Sequence, residues 1–146
     1  GVAWANAQLG LVRLDQSDHD GAWQALMTSL TLSASLDFRG DVYLVFDGLA
    51  RLALLHSLPE LACSLAAAAA FVREQSGITL APIEQGRADR LLRDLRARLG
   101  ADAVQDAWTR QHEWTLESII ESVTRELGPL LPASSTTSVT QTGAPE

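Results

Sequence analysis

Apolar residues recur every three or four positions along most of the chain, which is the spacing of amphipathic α-helices. A first helix is predicted roughly from Val2 to Gln16, and the polar turn after it contains Asp18 and Asp20, either of which can cap a second helix. Residues 37–40 break that second helix. A third helix follows, and its apolar stripe comprises Val42, Val45, Leu49, Leu52 and Leu55 or His56.

The fourth and fifth helices have the clearest boundaries in the sequence. The segment 57–60, Ser-Leu-Pro-Glu, has the pattern of a capping box with proline in the first turn. Gly77 is expected to end the fourth helix as a left-handed C-cap. A fifth helix is predicted to begin near Pro82 and to end at Gly100.

Two shorter helices and a polar tail complete the chain. The sixth helix is predicted from Asp102 to Gln111, and the seventh begins after Thr115 as its N-cap. Trp114 and Ile119 have the spacing of a hydrophobic staple around that cap. Residues 129–145 carry no charge and few side chains able to pack. We therefore expect a helical domain over residues 1–127 and a disordered tail or linker over 128–146.

Composition supports an all-α fold and removes some chemistry. The chain has 24 Leu and 22 Ala against 8 Val and 4 Ile, so helix formers far outnumber β-branched residues. All 11 basic residues are Arg, which excludes lysine Schiff bases and the lysine of a phosphate-binding P-loop. The net charge of −7 disfavours nucleic acids and anionic membranes as partners. With one cysteine, Cys63, and no apolar run of about 20 residues, we expect a cytoplasmic location.

Two stretches of the sequence match at a constant offset along the chain. Leu9-Gly10, Ser17 and Ala22 correspond to Leu49-Ala50, Ser57 and Ala62, and the match continues from Leu26 to Ala66 and from Ser29 to Ala69. Small residues at such points let two antiparallel helices approach closely. The spacing resembles the tetratricopeptide repeat, from which it departs at Asn6, at Arg13 and in its period. It predicts stacked helical hairpins in a short α-solenoid, and the alternative is an ordinary antiparallel bundle. Two hairpins are fewer than the roughly three repeats that such an array needs, so we expect that more repeats precede Gly1, that the last three helices act as a terminal cap, or both.

Three segments carry a more specific resemblance. They are Leu65-Ala-Ala-Ala-Ala-Ala-Phe-Val-Arg-Glu74 with Gly77 and Pro82, then Leu99-Gly-Ala-Asp-Ala-Val-Gln-Asp-Ala-Trp108, then Thr115-Leu-Glu-Ser-Ile-Ile120. Together they resemble the C-terminal helical-repeat region of large bacterial signalling ATPases, including LuxR-type, AfsR-like and cyclase-fused regulators. The resemblance implies a non-catalytic module that relays binding of a protein partner or inducer to ATPase and output domains outside this chain.

Repeat geometry suggests where a partner would bind. The first helix of each hairpin usually lines the concave face, so Gln8, Arg13, Tyr43 and Asp47 are candidate contact residues. Two other function classes stay open. One is a small-molecule sensor with a pocket of roughly 300 Å³ or more between the hairpins and the terminal cap. The other is self-association through an apolar N-terminal end that includes Trp4.

The remaining chemistry-bearing residues favour structural roles. The three histidines lack metal-ligand spacing, and Cys63 on an alanine-rich helix suits a buried apolar role, so we expect no catalytic, metal or cofactor site. Five arginines lie between Arg87 and Arg98, where pairs with Asp89 and Asp94 predict a solvated, ion-paired face rather than a partner-binding patch. The last helix carries three glutamates against Arg125, which argues against a DNA-reading helix-turn-helix.

Overall fold

The computed structural model describes residues 2–35 and 42–131, and over these ranges the chain contains helices and no strand. The all-α prediction is confirmed. The helices are α1 (Val2–Asp15), α2 (His19–Ser35), α3 (Val42–Leu55), α4 (Pro59–Ser76), α5 (Pro82–Leu99), α6 (Ala101–Arg110) and α7 (Leu116–Glu126). Two single 3₁₀ turns, Gln111–Glu113 and Gly128–Leu130, flank α7. The predicted break at residues 37–40 lies outside the described residues.

Two helical hairpins form the bulk of the core. Helix α1 packs along α2 in the first hairpin, and α3 packs along α4 in the second. Helix α3 also contacts both helices of the first hairpin. Each hairpin has a connection of only three residues, which makes its two helices antiparallel neighbours. Small residues permit the close approach. A Cβ added at Gly10 would lie 2.6 Å from Cγ of Leu26, and one added at Gly48 would lie 2.8 Å from Cδ2 of the same leucine.

The connections of the two hairpins are copies of one turn. Ser17 and Ser57 both adopt left-handed backbone conformations, with φ of 60° and 63°. Five backbone hydrogen bonds of the first connection recur, with nearly equal lengths, at the equivalent positions of the second. In the first connection they run from Gln16 N to the oxygens of Val12 and Arg13, from Ser17 N to Leu14 O, from Asp18 N to Arg13 O and from Ala22 N to Asp18 O. In the second connection the equivalent backbone N–H groups of residues 56, 57, 58 and 62 donate the corresponding bonds.

The helix caps follow the sequence with one correction. Asp18 caps α2, since its Oδ1 accepts a hydrogen bond of 3.0 Å from the backbone N–H of Gly21. The capping box predicted at Ser57 is wrong, because Ser57 occupies the left-handed turn position and Leu58 becomes the N-cap of α4 without a side-chain hydrogen bond. Gly77 ends α4 in the predicted left-handed conformation.

Thr115 caps α7 as predicted, accepting from the backbone of Ser118 at 3.1 Å. Helix α6 begins one residue earlier than expected, directly after Gly100, and its predicted last residue belongs to the following 3₁₀ turn.

The last helices close the molecule against the hairpins. Helix α7 contacts α2 and α4, the second helices of both hairpins, and buries Leu116, Ile119 and Val123. The packed chain continues beyond residue 127, because Leu131 is buried in the same core. Residues 128–131, assigned to the tail from sequence, therefore belong to the folded body, and residues 132–146 lie outside the described part. No helix in the described ranges is both long and apolar enough to cross a bilayer.

Candidate interaction groove

A groove lies where α1, α3 and α5 face one another. Its floor is a small cavity of about 40 Å³, about the size of one water molecule, whose apolar walls include Leu11, Leu44 and Leu91. The polar side chains around it come from consecutive turns of α3 and from the start of α5. They are Tyr43, Asp47, Arg51, Glu84 and Arg87.

Asp47 is the central charged group of the groove. It is half-buried and forms an ion pair of 2.9 Å with Nη1 of Arg73, which reaches it from α4. Burial raises the pKa of the Asp47 carboxyl to about 6, although Arg73 and, more weakly, Arg51 oppose this shift. The carboxyl therefore changes charge near pH 6, about two pH units above an ordinary aspartate.

A second ion-pair network joins the three helices across the groove. Asp15 at the end of α1 accepts from Arg51 of α3 at 2.9 Å and from Arg87 of α5 at 2.8 Å. Nη1 of Arg51 is buried and has no hydrogen-bond partner among the described residues. Since all three side chains are partly exposed, the network contributes at most about 1 kcal/mol per pair and serves mainly to set the spacing of the helices.

Beyond this network the groove opens into a wider cleft. The cleft has a volume of about 630 Å³, and its charged lining comprises Asp15, Arg51, Arg87, Arg90, Asp94 and Arg98. Four arginines against two aspartates make this end of the groove basic, although the whole chain carries a net charge of −7.

The expected ion pairs within α5 are absent. Across the described helices, no ion pair links Asp89 to Arg93 or Asp94 to Arg98. Gln85 instead donates to Asp89, and Arg98 reaches across to the carbonyl of Leu54 on α3 at 3.5 Å. The prediction of a salt-bridged outer face is wrong for these two pairs, because one member of each pair has a partner other than the expected one.

The structure brings two of the four predicted contact residues together. Tyr43 and Asp47 line the groove floor one turn apart on α3. Arg13 lies instead near the α1–α2 turn, where it donates to the carbonyl of Gly21 at 3.3 Å, and Gln8 is half-buried and lies outside the groove lining. Their roles as contact residues stay predictions.

Sequence reasoning missed the groove residues Asp15, Arg51 and Glu84, and it assigned Arg87 to a solvated, ion-paired face rather than to a groove. One signal was present: Arg51 occupies the position in the second hairpin that Leu11 holds in the first. A charged residue at a position where the equivalent helix has an apolar one indicates that this position lies at a polar surface rather than in an apolar contact.

A second cleft lies between the second hairpin and the terminal helices. It has a volume of about 380 Å³ and a mainly apolar lining that includes Phe46, Phe71 and Trp114. Gln75, Gln111 and His112 supply polar groups at its edge. Its volume exceeds the roughly 300 Å³ expected of a small-molecule pocket, but its lining comes from the second hairpin and the terminal helices and includes no residue of the first hairpin.

The histidines and the cysteine have other surroundings. His19 and His56 meet edge to face, with ring centroids 5.2 Å apart, where the two hairpin turns lie side by side. Burial lowers the pKa of His56, and the neighbouring His19 adds to this effect. In the described ranges, no three His, Cys, Asp or Glu side chains are grouped so that they could hold a metal ion. Cys63 is buried, as predicted, and burial raises the pKa of its thiol.

Comparison with known proteins adds no relative. No protein-family model, no curated protein and no solved structure matches this chain.

Proposed function

We propose that this chain is a non-catalytic helical-repeat module that binds a protein segment in the groove between α1, α3 and α5. The hairpins act as tetratricopeptide-like repeats of a short solenoid, and α5–α7 form its terminal cap. The module belongs to a bacterial signalling ATPase or transcriptional regulator and relays binding to domains outside these residues. The observation that carries this proposal is that the first helices of both hairpins and α5 line two adjoining cavities, which share Arg51, Arg87 and Leu91.

Charge indicates the kind of segment that fits. The groove presents four arginines at its wide end, two of them, Arg90 and Arg98, without an ion pair in the described part of the chain. Arginine recognises carboxylates through paired N–H donors. An acidic, extended protein segment is therefore the favoured ligand, with its carboxylates at the wide end of the groove.

A relay of binding has a physical route in the same residues. Asp15 connects α1 to both α3 and α5, so a ligand carboxylate that competes for Arg51 or Arg87 changes the contacts that set the spacing of these helices. The α5 end then moves relative to the hairpins and transmits the bound state.

A peptide selection with matched variants tests this function. Random peptides displayed on phage are selected on the chain, and enriched peptides are synthesised and titrated by fluorescence anisotropy. We expect acidic peptides whose affinity falls at least about tenfold in Arg90→Glu, which reverses a groove charge. Arg93→Glu is the control, because Arg93 is exposed on the same helix but lies outside the groove lining. Equal loss in both variants, or enrichment of non-acidic peptides only, would contradict the proposal.

A second candidate function is a small-molecule sensor, and the apolar cleft of about 380 Å³ favours it. An apolar ligand there would touch both the second hairpin and the terminal helices. Titration with the dye 1-anilinonaphthalene-8-sulfonate tests the site. Saturable binding that is lost in Phe71→Glu but kept in Ile83→Glu, an exposed position on α5, would support it. Binding that both variants retain would place the dye elsewhere.

A further inference from the structure

The face of α5 that lines the wider cleft carries three charges at intervals of one helical turn. Arg90, Asp94 and Arg98 follow one another every four residues, so they share one side of the helix at intervals of about 6 Å along its axis. All three line the wider cleft, whereas Arg93 on the same helix lies outside its lining. The cleft therefore presents charges in the fixed order positive, negative, positive.

These three charges are available to a ligand. Within the described part of the chain, no ion pair joins Arg90 to Asp94 or Asp94 to Arg98, and none joins any of the three to another residue. Arg98 donates one hydrogen bond of 3.5 Å to a backbone carbonyl of α3. The other two arginines of the cleft are both paired with Asp15. A ligand can therefore engage the three α5 charges without first breaking an ion pair.

The spacing of the charges suits an extended protein segment. Alternate side chains of an extended chain point to the same side at intervals of about 6.7 Å, close to the rise of about 6 Å over four helical residues. Three alternate side chains thus span about 13 Å, against about 12 Å between Arg90 and Arg98 along α5. A helical ligand of that length would fill about 900 Å³. The cleft, at about 630 Å³, is smaller than such a helix.

We propose that the charges of α5 select the order of charges in the bound segment. The segment carries an acidic residue opposite Arg90, a basic residue opposite Asp94 and an acidic residue opposite Arg98, with one further residue between each pair. This preference rests on the proposed function, which requires only an acidic extended segment, and adds a sequence pattern to it. The pattern is the same in both chain directions, so it holds whichever way the segment runs.

The central position is the one that discriminates between ligands. Acidic side chains opposite the two arginines accept paired N–H bonds. An acidic side chain in the middle would face Asp94, and like charges placed together across an interface disfavour binding. A segment with three acidic residues in these places should therefore bind more weakly than one with a basic residue at the centre, although its net negative charge is larger.

The phage selection, repeated on charge-reversed variants, tests the pattern. The wild-type chain should enrich peptides with two acidic residues four positions apart and a basic residue midway. Asp94→Arg should instead enrich an acidic residue midway. Asp89→Arg is the control, because Asp89 lies on the same helix outside the cleft lining, and it should keep the basic preference. Both aspartates are exposed, so neither substitution disturbs the core.

Fluorescence anisotropy with a matched peptide pair gives the size of the effect. The pair consists of the tightest wild-type peptide and the same peptide with glutamate in place of its midway basic residue. The glutamate peptide should bind the wild-type chain at least about threefold more weakly than its parent, and Asp94→Arg at least about threefold more tightly. Asp89→Arg should rank the two peptides as the wild type does.

The possible results separate the charge order from the proposed function. Acidic peptides enriched in no particular order, or a midway preference that Asp94→Arg leaves unchanged, would overturn the charge order and leave the proposed function standing. Alternating charges spaced four residues apart each, as on one face of a helix, would overturn the extended arrangement. Enrichment of non-acidic peptides only would overturn the charge order and the proposed function together.

Discussion

The two hairpins share their backbone and differ in what surrounds them. The α1–α2 and α3–α4 connections have the same left-handed serine and the same hydrogen bonds, and α1 and α3 have the same length. Yet α1 buries only Ala3, Ala7, Gly10 and Leu14, whereas ten of the fourteen residues of α3 are buried. The same local backbone structure can therefore lie at the edge of the molecule or at its centre. The number of buried side chains distinguishes the two positions.

The largest effect expected from this difference concerns one substitution made at two equivalent positions. Leu49→Ala removes a side chain that is 0% exposed and should lower the free energy of unfolding by about 3 kcal/mol, through lost burial and a cavity. Leu9→Ala, at the equivalent position of α1 with 41% exposure, should cost less than about 1 kcal/mol. Urea denaturation at low micromolar concentration measures both. Costs that agree within error would mean that the two faces are equally covered.

An intermediate effect comes from Asp47, which replaces the Ala7 of the first hairpin. Its folded pKa of about 6 lies above the ordinary 3.8, so the folded state binds a proton more readily between these values. Wild-type stability should rise relative to Asp47→Asn as the pH falls from about 7.5 to about 4.5, by roughly 2 kcal/mol. Urea denaturation of both proteins at three pH values isolates the effect, because other groups cancel in the difference. A constant difference, or one that moves in favour of the variant, would refute the assignment.

The smallest effect tests the packing between the helices of each hairpin. Gly10 and Leu26 in the first hairpin correspond to Ala50 and Ala66 in the second. Gly10→Ala should destabilise by roughly 1–2 kcal/mol despite its better helix propensity, because the new Cβ meets Leu26. The double variant with Leu26→Ala recreates the alanine pair, so the two costs should sum to more than the double variant shows. Simple additivity in a double-mutant cycle by thermal unfolding would contradict the proposed size complementarity.

The hairpins could be predicted from sequence because their signals are local. Apolar periodicity, Gly77, Pro82 and Thr115 fix helix ends through contacts between near neighbours in the chain, and the constant offset between matching residues identified the repeat. The prediction of a capping box at Ser57 was wrong because the backbone of Ser57 adopts the left-handed conformation of the turn, and Leu58 is the N-cap instead.

The candidate site was less predictable because its contacts are long-range. Asp15 meets Arg87 across 72 residues, and nothing in the local pattern of either helix indicates that pair. The half-buried Asp47 is likewise paired with Arg73 from another helix, 26 residues away in the chain. Helical periodicity orders residues around one helix, but it does not state which neighbouring helix each face meets.

Helices α1 and α3 are equivalent in the two hairpins but differ in how many of their residues are buried. Hydrogen–deuterium exchange measured by mass spectrometry tests this difference most directly. A chain concentration of about 1 μM keeps any association between chains weak. Both helices have the same backbone hydrogen-bonding pattern, so a difference in protection reports packing rather than secondary structure. We predict that amides of α3 exchange only through global unfolding, while those of α1 exchange through a local opening of lower free energy and at least about tenfold faster. Equal protection of α1 and α3, or stronger protection of α1, would contradict the account.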